Sequence, residues 1–103
     1  MEPIVKDKLE AVKRACARYH VRRLDLFGSA LRQGLDRVSS DIDFLVDFQD
    51  LSPAEHADAF FGLLEELERI FDRSVDLVEH RAIRNPYFLE AIESSRVRVY
   101  AAA

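Results

Sequence analysis

Between residues 41 and 48 apolar and polar side chains alternate almost without a break. Ile42, Phe44, Val46 and Phe48 share one face of a strand, and Asp41, Asp43, Leu45 and Asp47 share the other. Upstream the period changes. From Pro3 to about Tyr19, the residues Val5, Leu9, Val12, Cys16 and Tyr19 recur at helical spacing, with Lys6, Lys8, Glu10, Lys13 and Arg14 largely elsewhere. Val21 to Phe27 is dense enough in apolar residues for a strand, though its alternation is imperfect. Gly28-Ser29 ends that strand. Ala30 to Gln33 can make a helical turn that Gly34 closes in a left-handed conformation.

Beyond the clear strand, Ser52-Pro53-Ala54-Glu55 has the form of a helix start. Ser52 is the N-cap, Pro53 suits the first helical position, and Glu55 completes a capping box. The helix is predicted to reach about Phe71, with Ala57, Phe60, Phe61, Leu64, Leu67 and Phe71 as its apolar stripe. Residues 74–78 read as a short strand. Asn85-Pro86 opens another helix, with Phe88, Leu89 and Ile92 facing inward, and residues 97–100 read as a last strand. Short strands alternating with helices predict an α+β (mixed α/β) domain. Its sheet has about four strands of mixed direction, and the helices pack mainly on one face.

Composition narrows the class. The 103 residues fit a single domain spanning 1–103, and 49% apolar with 33% charged is ordinary for a soluble globular chain. The N-terminus lacks the apolar stretch of a signal peptide, and no apolar run approaches the ~20 residues of a membrane span. The lone Cys16 lies on the apolar face of the first helix and reads as core. One cysteine forms no internal disulfide, so cytoplasmic localisation is expected. The net charge of −4 disfavours direct nucleic-acid binding, which relies on an excess of basic residues. A nucleotide is still allowed, because metal ions neutralise both a triphosphate and the carboxylates that hold it.

The candidate chemistry is acidic. Asp41 and Asp43 project from one strand face roughly 6.5–7 Å apart at the backbone. Carboxylates this close repel unless a cation lies between them, and Mg2+, a hard ion with oxygen ligands, suits the pair. A solvated strand face explains an Asp-x-Asp alone at least as well. At Gly28-Ser29 the backbone could approach a phosphate, although most such pairs are plain turns. Asp76 stands in the apolar run Val75-Asp76-Leu77-Val78. It either faces water on the open side of the sheet or joins a metal site. Arg32 reads equally as a phosphate contact and as a solvated residue. Arg22 and Arg23 read as surface charges or partner contacts. His20, His56 and His80 show no metal-ligand spacing. Tyr87 and Phe88 read as core rather than interface.

Taken together, the strand ending in Phe27-Gly28-Ser29, the run from Ser40 to Phe48 and the later Asp76 resemble the nucleotidyltransferase superfamily that includes DNA polymerase β. The small size and the segments Asn85–Phe88 and Val97–Tyr100 are similar to the minimal nucleotidyltransferase (MNT) domains, many of which are antitoxins paired with HEPN-domain toxins. The resemblance implies the nucleotidyltransferase fold, with Asp41, Asp43 and Asp76 as catalytic metal ligands. It implies that Gly28 and Ser29 hold the β- and γ-phosphates, with Arg32 where the family often has arginine. ATP and Mg2+ are the implied cofactors. A HEPN toxin is the implied partner, modified by AMP on a tyrosine hydroxyl. Eleven residues separate Ser29 from Asp41, one more than is usual in these antitoxins, and the extra one is placed near Gln33-Gly34. Two other readings stay open: an antitoxin that acts by complex formation without catalysis, and a transferase for a small-molecule or nucleic-acid acceptor.

Overall fold

The computed structural model describes residues 3–27 and 42–102. Helices α1 (Pro3–Asp7) and α2 (Leu9–Arg18) lead into β1 (Val21–Phe27). Strand β2 (Ile42–Phe48) precedes the long helix α3 (Pro53–Phe71) and β3 (Val75–Glu79). A 3-10 turn at His80–Ala82, helix α4 (Pro86–Ser95) and β4 (Val97–Ala101) complete the described elements. The sheet runs β3-β2-β1-β4. Strand β1 is antiparallel to both β2 and β4, whereas β2 and β3 are parallel, joined through α3. The expected mixed four-stranded sheet is therefore what forms.

Helices α2 and α3 cover one face. Ile42, Phe44, Val46 and Phe48 point into that layer and pack with Val12, Cys16, Leu63 and Leu67. Each of those eight side chains is fully removed from water. The opposite face carries a smaller cluster, in which Phe27, Leu45 and Ile92 meet Val78 and Ile83. Only Ile92 of α4 is buried there, so the helices do lie mainly on one face.

The start of α3 follows from its sequence. The Ser52 hydroxyl accepts from the Glu55 N–H, and the Glu55 carboxylate accepts from the Ser52 N–H. That exchange holds Glu55 below the usual carboxylate range, the hydrogen bond from the Ser52 backbone being the larger cause. Helix α4 starts the same way, its Asn85 side chain accepting from the N–H groups of Tyr87 and Phe88.

Three expectations are corrected. The first helix is broken at Lys8 into α1 and α2, an arrangement in which both Val5 and Val12 reach the core. In α3 the expected Leu67 and Phe71 are buried and Phe60 and Leu64 pack against the core, but Ala59 and Leu63 join the buried stripe while Ala57 and Phe61 face water. Both phases of this helix are rich in apolar residues, and packing against α2 selects one. Tyr87 and Phe88 are not core: they are 82% and 45% exposed, and Ile92 is the residue that α4 buries among those described. Among the described residues, no helix is long and apolar enough to cross a membrane.

Candidate active site

Strand pairing brings the acidic residues together. In the parallel pair of β2 and β3, Asp43 stands directly beside Asp76, one strand spacing of roughly 4.8 Å away. On its other side Asp43 is the cross-strand partner of Phe27, the last residue of β1. The alternation that sends Ile42 and Phe44 into the core sends Asp43 to the opposite face, and the register carries Asp76 there too. Asp43 is half-buried and Asp76 is exposed. Asp76 is solvated, as the first of its two readings expects, and it lies adjacent to Asp43.

Asp41, Gly28, Ser29 and Arg32 fall between Phe27 and Ile42, outside the described residues. Phe27 and Ile42 themselves are described, and the chain leaves β1 and enters β2 at the end of the sheet where Asp43 lies.

The donor set suits a hard cation. Two carboxylates on neighbouring strands, one half-buried and one exposed, are oxygen donors of the kind that fit Mg2+ better than a soft metal. No group of three His, Cys, Asp or Glu residues forms a metal cluster among the described residues, so the pair would need a further ligand from elsewhere.

The same face carries a second set of carboxylates, and these are neutralised by arginine. Asp25 is 3% exposed and accepts from Arg96 Nη1 at 3.4 Å and from Arg98 Nε. Asp47 accepts from Arg23 at 2.8 Å and lies 3.8 Å from both Arg22 and Arg81. The hydrogen bond to Asp47 pushes the Arg23 guanidinium further above its already high value. Arg22 and Arg23 are thus surface charges tied to the sheet. Sequence reasoning missed Asp25; its one signal was an acidic residue interrupting the apolar run of β1. Of the histidines, His56 sits 2.7 Å from Glu79, and His80 sits 3.2 Å from Glu93.

A mixed sheet with paired carboxylates near the end of its β1–β2 hairpin is an arrangement that can bind a metal–nucleotide complex. Residues 9–99 match the nucleotidyltransferase domain family, and the chain belongs to that family of transferases. Particular relatives sharpen this. A Methanocaldococcus jannaschii protein provisionally named a protein adenylyltransferase, MJ1379, is 35% identical over 82 residues, covering 80% of each chain. A solved structure provisionally described as a minimal nucleotidyltransferase superposes with a TM-score of 0.72 at 31% identity, covering 94% of this chain and 95% of that one. The MNT antitoxin complex with a tri-AMPylated HEPN toxin from Shewanella oneidensis shares the fold, with a TM-score of 0.63 at 20% identity over 94% of this chain and 72% of that one.

Proposed function

We propose that this chain is a Mg2+-dependent adenylyltransferase that moves AMP from ATP to a tyrosine hydroxyl of a HEPN-domain toxin and so acts as its antitoxin in the cytoplasm. The observation that carries the reading is the in-register placement of Asp43 beside Asp76 on the face opposite the α2–α3 layer. The name of the M. jannaschii relative and the AMP-modified toxin bound by the S. oneidensis antitoxin support the reaction and the partner.

In this reading Asp41, Asp43 and Asp76 hold the metal, and Gly28, Ser29 and Arg32 receive the β- and γ-phosphates. When bound, Mg2+ supplies charge neutralisation for the triphosphate and for the leaving group. Asp76, the more exposed carboxylate, orients the acceptor hydroxyl and takes its proton. The acceptor oxygen forms a bond to the α-phosphorus, the bond from that phosphorus to the bridging oxygen breaks, and pyrophosphate leaves. Most of the rate gain comes from positioning and charge, as in phosphoryl transfer generally.

The test is to mix the protein with its purified toxin partner, Mg2+ and α-labelled ATP. Label is expected on a toxin tyrosine, and Asp43→Asn should slow labelling on the order of 10²–10³-fold. Chelating the metal should stop it. A folded, nucleotide-bound wild type that leaves the toxin unlabelled would overturn the reading. Full neutralisation of the toxin by Asp43→Asn would instead make complex formation the antitoxin mechanism.

A further inference from the structure

We propose that Phe88, with Tyr87 beside it, is the platform on which the nucleobase of the donor nucleoside triphosphate stacks. The inference rests on the transferase reading above and adds a binding subsite to it.

The two residues open helix α4 and expose large aromatic surfaces, 82% for Tyr87 and 45% for Phe88. Phe88 is nevertheless held in place. Its ring meets the Phe27 ring edge-on, with centroids 6.3 Å apart and planes at 74°. Phe27 is itself 6% exposed, so Phe88 rests on a fixed support. The Asn85 cap fixes the backbone beneath, accepting from both Tyr87 and Phe88.

Position supplies the ligand. Phe27 is the cross-strand partner of Asp43, and Asp43 is the neighbour of Asp76. One row therefore crosses the sheet from carboxylates to aromatics: Asp76, Asp43, Phe27, Phe88. Strand spacing, the Phe27 side chain and the ring contact together place the Phe88 ring within roughly 15 Å of the Asp43 backbone. A ribose and triphosphate span that length. Phosphates drawn to metal at the carboxylates thus leave the base at the aromatic end. Stacking needs only a π-face, so it ranks bases by size, and purines should bind better than pyrimidines.

The experiment is calorimetric titration of the full chain with Mg2+-ATP, Mg2+-CTP and Mg2+-tripolyphosphate, which has phosphates but no base. Phe88→Ala should weaken ATP about tenfold, within the range known for losing one base–aromatic stack. Tripolyphosphate affinity should not change, Phe88→Tyr should restore ATP binding, and the preference for ATP over CTP should shrink in Phe88→Ala. Unchanged ATP affinity in Phe88→Ala refutes the platform. So does an equal loss for tripolyphosphate, which would mean a damaged site. Weaker toxin binding with ATP affinity intact would also refute it, making the patch a protein contact. Failure of the wild type to bind any of the three ligands would instead strike the transferase reading, and the platform would fall with it.

Discussion

Cys16 shows how a single buried group ties stability to pH. It lies fully inside the α2–α3 layer, and burial pushes its thiol from 9.0 up to about 12. The folded chain therefore keeps a proton that the unfolded chain releases above about pH 9. A raised pKa of this kind leaves stability intact below the unfolded value and erodes it as pH climbs. The slope is at most ~1.4 kcal/mol per pH unit for one proton. Urea unfolding at pH 8, 9.5 and 10.5 should show wild type losing stability faster than Cys16→Ala, which lacks the thiol. Parallel curves would mean the thiolate is tolerated in the fold. The core role of Cys16 was legible from helical spacing alone. Asp25 was not, because Arg96 and Arg98 lie 71 and 73 residues away, and only folding brings them to it.

At the scale of elements, local signals were readable and choices between equivalent faces were not. Strand β2 and both helix starts follow from alternation and capping chemistry, which act within a few residues. The phase of α3 depends on what α2 presents. A Cβ at Gly62 would run into the Tyr19 ring at Cε1 and sit 2.9 Å from its Cδ1, so this glycine makes room in α3 for the partly buried ring that follows α2. Gly62→Ala gains roughly 1 kcal/mol of helix propensity. Displacing the ring costs ~1–3 kcal/mol. The expected balance is a net loss of about 1 kcal/mol in chemical denaturation, and a more stable variant would show that Tyr19 swings aside freely. For the candidate site, the pairing of Asp43 with Asp76 depends on β2 and β3 being neighbours, which no sequence pattern states. The exposure of Tyr87 and Phe88 was hidden for a related reason: hydrophobicity marks them as core, but among the described residues of the second face only Phe27, Leu45 and Ile92 form a buried cluster.

Across the whole molecule the two faces of the sheet are unequally secured. The α2–α3 layer closes over an extensive core, whereas α4 is fastened by Ile92, by the Phe27–Phe88 contact and by the charges around Asp25. Arg96 caps the end of α4 and reaches both Asp25 and Glu93, and Arg98 on β4 grips Asp25 from the next strand. Few buried apolar contacts and a polar clasp describe a segment that opens locally without global unfolding. Amides of 86–95 should therefore exchange with deuterium well before those of 42–48 and 59–71. Asp25→Asn keeps the shape and removes the charge, leaving two arginines facing a neutral amide. It should speed exchange in 86–98 while leaving the α2–α3 layer protected, with a modest loss of global stability because both arginines can turn partly to water. Uniform acceleration across the chain would show instead that Asp25 supports the whole sheet. Since α4 begins with the aromatic pair proposed to receive the base, Mg2+-ATP should slow its exchange in wild type, coupling this loosely secured helix to occupancy of the carboxylate site.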